Sequence, residues 1–328
     1  MKRIGIATIH KSSNFGGSLQ AYALYKYLES QGHNVEIIDL LRPVHERFVY
    51  DRRYKPYRNS RFSLKNRLRE AIKKVLGYKD DRGYASEISK QHFNDFFKNI
   101  KYSKEYRKVR YIYKDAPQYD IYISGSDQLW SPMHPFCIEP FFLTFAPKGS
   151  KKISYATSIG VTELTDREKV DFKRWLESYE AISVREAEGK LLLDSFIKDK
   201  NIEVVADPTF LLDINDWKNL AITPSIKESY ILLFSLSNNK PLVDFAIKMS
   251  KESGKKLVIL KGPTLDANSS DYILDNSIGP REFLGYFDNA DMIITDSFHG
   301  SVFSMLMGAK NFFSYSLYPR QAAELPTC

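Results

Sequence analysis

Met292-Ile293-Ile294-Thr295-Asp296-Ser297-Phe298-His299-Gly300-Ser301-Val302-Phe303-Ser304-Met305-Leu306-Met307-Gly308 decides how this chain folds. A short apolar strand, Asp291 to Thr295, passes through a polar loop into a segment of helical pattern. The first N–H groups of a helix have no partner within it, so a strand-to-helix loop of this kind presents donors beyond the strand end and favours an anion. Here the loop also carries His299, one of only six histidines. The combination suggests chemistry on a phosphate or carboxylate.

The same alternation extends in both directions. Strands are expected at Arg3 to Ile9, Val35 to Leu40, Tyr119 to Ser124, Lys152 to Tyr155, Ala181 to Val184 and Glu203 to Val205. A second series has strands at Tyr230 to Leu236, Lys256 to Leu260 and Asp291 to Thr295, with helices near Pro241 to Ser253 and Pro280 to Phe287. The first helix is expected over Ser18 to Gln31, where Leu19, Ala23, Tyr27 and Leu28 keep helical spacing and Gly32 marks the stop. Repeated βα alternation calls for parallel sheets covered by helices on both faces. The fold class is therefore α/β, with two Rossmann-like domains, at 1–212 and 213–328. Asp207-Pro208 and Asn215-Asp216-Trp217 mark the crossing between them. Ligands of such sheets bind beyond the carboxyl ends of the strands, so a cleft faced by both domains is the expected site.

A chain of 328 residues, 43% hydrophobic, suits two ordinary cores. Its two cysteines, Cys137 and Cys328, allow no disulfide framework and no paired-cysteine metal site, which fits a reducing cytoplasm. The apolar start breaks at His10-Lys11-Ser12-Ser13 and reads as a strand, not a signal peptide. No apolar run approaches the length of a membrane span. The net charge of +8 is uneven: Val44 to Asp115 holds 21 Lys/Arg against 9 Asp/Glu, an excess of 12 that leaves the rest at −4. This segment reads as a basic helical insertion in the first domain. Its ordinary explanation is a solvated face; the sharper one is contact with an anionic membrane surface or a diphosphate-linked acceptor. No nucleic-acid signature accompanies the charge.

Three further loops share the strand-end placement. In His10 to Ser18, Asn14 precedes the pair Gly16-Gly17, whose lack of side chains lets backbone approach a ligand; a plain flexible turn explains it equally. In Ser124-Gly125-Ser126-Asp127-Gln128-Leu129-Trp130, Asp127 either caps a helix or accepts a sugar hydroxyl, and Trp130 either stacks on a sugar or lies in the core. Arg185, at a strand end, either pairs with Glu186 or a neighbouring carboxylate or grips an anionic ligand with its planar fork. His10, His33, His45, His92 and His134 show no metal-ligand spacing.

At these residues the chain resembles the polysaccharide pyruvyl transferase family. The resemblance rests on Asn14-Phe15-Gly16-Gly17 with Leu19 to Leu24, Ser124 to Trp130, Ser154 to Gly160, Ser183 to Glu186, Asp207-Pro208-Thr209 and Asp296 to Gly300, in family order. It implies a GT-B-like pair of domains, phosphoenolpyruvate as donor and a sugar acceptor, lipid-linked carriers included; nothing in the sequence asks for a metal, and no cofactor is expected. The product would be a cyclic pyruvate ketal in capsule, exopolysaccharide or cell-wall polymer synthesis, made in the cytoplasm or at the inner face of the membrane. It further implies His299 as general acid/base, Arg185 on the donor's anionic end and Asp127 as a base toward a sugar hydroxyl. Asn14, Gly16, Gly17, Ser124, Gly125, Ser126, Asp296, Ser297, Gly300 and Ser301 would line the substrates. Family members usually continue well beyond the Asp296 to Gly300 motif, whereas this chain stops at Cys328, so a short second domain is expected. Two other functions stay open: a GT-B glycosyltransferase using a nucleotide sugar, and a non-catalytic saccharide-binding relative.

Overall fold

The computed structural model describes residues 1–43, 45–55, 57, 86–237, 239–260 and 269–315. Two compact units emerge. Unit 1 contains Met1–Ser12, the described residues of 17–57, and Lys98–Leu211. Unit 2 contains Ser13–Gly16, 86–97 and 212–315.

Unit 1 is built on a four-stranded parallel sheet of order β2-β1-β3-β4, with β1 Arg3–Ala7, β2 Asn34–Ile37, β3 Ile121–Ser124 and β4 Lys151–Ser154. A parallel pair, β5 Ile182–Val184 and β6 Ile202–Val204, is stitched to it by bridges from Ile153 to Ala181 and from Thr157 to Val184. Central strands lie between two helical layers and must be apolar throughout, whereas edge strands need not. Burial follows that rule: β1 is buried after its first residue, and the edge strand β6 is exposed at Glu203 and Val204. Trp130 is fully buried, stacked on Phe142 at 5.1 Å, with its indole N–H donating to Phe141 O. Its place is the core.

Unit 2 has one five-stranded parallel sheet of order β11-β10-β7-β8-β9, from β7 Tyr230–Phe234, β8 Lys256–Leu260, β9 Ile273–Asp275, β10 Met292–Thr295 and β11 Phe312–Ser314. Successive side chains of a strand point to opposite faces. Ile231 and Leu233 of β7 accordingly pack with Leu242 and Ala246 of the helix Lys240–Ser253, while Phe234 meets Phe283 on the other face, 5.1 Å between ring centroids. Trp217, in the helix Ile214–Leu220 capped by Asp213, packs edge-on against Phe303.

The structure departs from the sequence expectations in three places. The first helix, α1, spans Phe15–Ser30 and begins three residues early, so Gly16 and Gly17 are helical and not loop. The cause is Phe15, which stacks on Phe283 at 4.8 Å and touches Phe93 at 5.2 Å. Second, part of the expected first-domain insertion belongs to unit 2. The helix α2, Glu87–Phe97, buries Phe93, Phe96 and Phe97, and Ser89 donates to Ile278 O at 2.7 Å. An apolar aromatic face outweighs the segment's charge in deciding where it packs. Third, β9 and β11 are short edge strands with too few apolar residues to stand out from periodicity. Arg67, Arg69, Lys73 and Lys74, four of the basic residues between Val44 and Asp115, lie outside the described residues. Among the described residues, no helix is long and apolar enough to cross a membrane.

Candidate functional site

In an open parallel sheet, ligands bind where the strand order reverses, because the loops leaving the two strands there diverge and open a crevice. Unit 1 reverses between β1 and β3; unit 2 reverses between β7 and β10. The loops at these points are His10 to Ser12 and Gly125 to Trp130 in unit 1, and Ser235 to Ser237 with Asp296 and Ser297 in unit 2. Topology thus gathers the motif residues at the sheet positions suited to ligands.

In unit 2, Asp296 ties the two loops together. Its Oδ1 accepts from Leu236 N at 2.7 Å, and its Oδ2 accepts from the hydroxyls of Ser235, at 2.7 Å, and Ser237. Ser297 caps the following helix, α9 (Phe298–Leu306), by accepting from Gly300 N at 3.2 Å. Gly300 sits against Thr295 so tightly that a Cβ would collide with Thr295 Oγ1. Ser301 donates to Ser297 O and to Ser314 Oγ. These contacts fix the first turn of α9, and with it His299, which is only 8% exposed. Gly16 lies against the imidazole: a Cβ there would come under 3.0 Å from Nδ1, Cγ and Cβ of His299. The sequence placed glycine at 16 to admit a ligand; the structure shows it admitting the histidine. Asn14, beside it, is exposed.

In unit 1, the Ser124 hydroxyl is turned inward, donating to Phe141 O and paired with Tyr179 Oη at 2.6 Å. Gly125 allows the strand end to pass Thr8, whose Cβ would stand 2.7 Å from an added methyl. Ser126 donates to Ala156 O at 2.8 Å, and Thr157 Oγ1 to Gly125 O at 2.8 Å. The Ser154 to Gly160 motif therefore holds the Ser124 to Asp127 loop in place. Asp127 adopts a left-handed backbone, φ +66°, uncommon for a residue with a side chain and maintained by bonds from Leu129 N and Ser158 N to its carbonyl. Its Oδ1 accepts from Gln128 N. Gly17 supplies a carbonyl to the Gln20 amide.

Arg185 takes the local pairing that the sequence allowed. Nη1 donates to Asp207 Oδ2 at 2.9 Å and Nε to Glu186 Oε1 at 3.0 Å. Burial works against its charge, but the Asp207, Glu186 and Asp127 carboxylates outweigh it and raise its affinity for the proton. Asp207, 2% exposed, also accepts from Thr209 N and Oγ1 and, at 3.3 Å, from Ser126. Removing one member of a buried pair strands the other charge. Asp207→Ala is therefore expected to cost about 3–5 kcal/mol in urea unfolding. Asp207→Ala combined with Arg185→Met should recover much of that loss, and a loss no smaller in the double variant would count against the pairing.

Sequence reasoning missed a second polar group of unit 1. His10 Nδ1 lies 2.9 Å from Thr8 O and Nε2 lies 3.0 Å from Asp39 Oδ1. Lys11 Nζ reaches Asp39 Oδ2 at 2.5 Å. Arg42, buried at 8% exposure, donates from Nη2 to His10 O at 3.2 Å. The available signal was position: Asp39 and Arg42 follow the apolar end of β2, as the recognised motifs follow β1 and β3. Burial alone would raise the Asp39 carboxyl; the hydrogen bond and charge of His10, then those of Lys11, leave it below its usual 3.8. A depressed carboxyl stabilises the fold above its unfolded value and loses that contribution as pH falls through the folded one. The melting-temperature gap between wild type and Asp39→Asn should thus be full at neutral pH and close below about pH 3.8. A gap that does not change with pH would contradict it.

Among the described residues, no group of three or more His, Cys, Asp or Glu is placed to hold a metal ion. No curated protein matches the chain. Among solved structures, an α-glucosyltransferase in complex with UDP and mismatched DNA aligns with TM-score 0.51 at 11% identity, over 96% of this chain and 79% of its own. A UDP-GlcNAc 2-epimerase from Methanocaldococcus jannaschii aligns with TM-score 0.47 at 12% identity, over 96% and 89%. Likeness to the first supports the two-unit, GT-B-like fold and nothing narrower. The family model described as polysaccharide pyruvyl transferase matches residues 14–315, from the Asn14 loop through the His299 helix to the end of the last described strand. With that match spanning nearly the whole chain, the protein belongs to the polysaccharide pyruvyl transferase family.

Proposed function

We propose that the protein transfers the enolpyruvyl group of phosphoenolpyruvate to two hydroxyls of a sugar, forming a pyruvate ketal and releasing phosphate. The setting is the cytoplasm, in capsule, exopolysaccharide or cell-wall polymer synthesis. The observation that carries this reading, beside family membership, is His299: a nearly buried histidine on the first turn of α9, beyond the strand β10 at the unit 2 reversal point.

The donor dictates the chemistry. A proton added to the methylene carbon leaves positive character on the central carbon, and one sugar hydroxyl attacks it, losing its own proton. The bond to the phosphate oxygen then breaks with release of phosphate, and the second hydroxyl closes the ketal and gives up its proton. His299 supplies the first proton and accepts one later. Asp127 takes a proton from a sugar hydroxyl. Arg185, committed to Asp207 and Glu186, acts by fixing the Ser126–Asp127 loop from which that carboxylate projects.

The test is phosphate release from phosphoenolpyruvate with free and lipid-linked galactose, glucose, mannose and N-acetylhexosamine acceptors. Acceptor-dependent release is expected. Absence of phosphoenolpyruvate binding would overturn the donor. Thermal stabilisation by UDP in its place would favour a nucleotide-sugar glycosyltransferase.

A further inference from the structure

Arg42 is the second guanidinium at the strand ends of unit 1, and its situation is opposite to that of Arg185. It is as deeply buried, but among the described residues its polar bond is a single one, to the carbonyl oxygen of His10. No described carboxylate lies within ion-pair reach. Asp127 acts on it only at longer range, and burial pushes its proton affinity down to about 10. A guanidinium carries five N–H donors in a fixed fork that matches a carboxylate or phosphate by two parallel bonds. Among the described residues only the Nη2 bond is made, which leaves the rest of the fork open to an anion.

The group is also held ready. The guanidinium lies 5.3 Å over the ring of Phe136, whose other neighbour is His134, stacked at 4.9 Å with planes 10° apart. His134 is tied to Gln128 at 2.7 Å, next to Asp127. The His10 carbonyl that receives the Arg42 bond belongs to a residue anchored at both ring nitrogens. Arg42 follows β2, Asp127 follows β3 and His10 follows β1, so all three stand at the carboxyl ends of neighbouring strands, around the unit 1 reversal point.

We propose that Arg42 is an anion-binding residue of the substrate site, gripping a carboxylate or phosphate of a small ligand through the N–H groups that no described residue engages. Resting on the function proposed above, the ligand is phosphoenolpyruvate, held so that a sugar hydroxyl on the neighbouring Asp127 meets it. Arg42 is a binding residue and moves no proton.

The experiment compares wild type, Arg42→Met and Arg42→Lys in the full chain by calorimetric titration and thermal melting, with phosphoenolpyruvate, inorganic phosphate and pyruvate as separate probes. A structural arginine and a binding arginine separate on the ligand-free protein. If Arg42 awaits a ligand, Arg42→Met melts at the same temperature as wild type or higher, since the charge that burial disfavours is gone and a single hydrogen bond to a described residue is lost. The variant then binds the phosphate-bearing or carboxylate-bearing probe about ten- to a hundredfold more weakly. Arg42→Lys keeps charge without the fork and should remain impaired. A fall in the ligand-free melting point with anion affinity unchanged overturns the assignment, as does wild type binding none of the probes. Wild type binding phosphate or pyruvate through Arg42, with no preference for phosphoenolpyruvate, keeps the anion site and overturns the donor instead.

Discussion

His299→Ala is expected to lower acceptor-dependent phosphate release by about a hundred- to ten-thousandfold, the range removed with a positioned general acid or base. The effect should fall on turnover, with phosphoenolpyruvate affinity much less changed. The fold around the substitution has independent support. Ser297 still caps α9, Thr295 still packs on Gly300, and Asp296 still joins the β7 and β10 loops. A melting temperature close to wild type with turnover gone would therefore place the loss in chemistry. Full activity in the variant would remove His299 from the reaction and leave it a packing residue on the first turn of a helix.

Gly16→Ala should nearly reproduce that loss without touching the histidine itself. The methyl group would enter space held by the His299 ring, and the clashing atoms include Cβ and Cγ, which cannot swing away as a flexible chain end does. Either α9 or the start of α1 must shift, and Phe15, stacked on Phe283, resists movement of the latter. Displacing a catalytic group by about 1 Å costs on the order of a hundredfold in rate. Stability should fall by about 1–3 kcal/mol, as for overpacking elsewhere. Turnover is expected to drop more than substrate affinity, which distinguishes a displaced proton donor from a blocked binding loop. Unchanged turnover with weakened affinity would return Gly16 to the ligand-facing role read from the sequence.

The fold was largely legible because parallel sheets impose a strong pattern. A central strand such as Tyr230 to Phe234 is apolar at every position, and Gly254, in a left-handed conformation after Lys240–Ser253, ends its helix by the usual steric rule. Strand boundaries shifted by up to three residues because the last residues of each strand turn toward loop partners; β1 stops at Ala7, where Thr8 O meets His10. Edge strands β9 and β11 were missed since an edge needs little apolar surface. The motif residues were legible as well, through their placement after strands.

What each motif residue does was a different matter. Sequence alone determined the βα alternation, the two parallel sheets, the family and the set of loops in which polar residues gather, because these depend on local periodicity and on short contiguous patterns. Tertiary structure decided that Gly16 makes room for His299, that Arg185 is held by Asp207, and that Trp130 and the Ser124 hydroxyl face the core. It also brought His10, Asp39 and Arg42 together from the ends of two strands separated by a whole helix. The reason is physical: whether a buried polar group is answered depends on which other groups share its space, and a parallel sheet makes neighbours of residues that lie tens of positions apart along the chain.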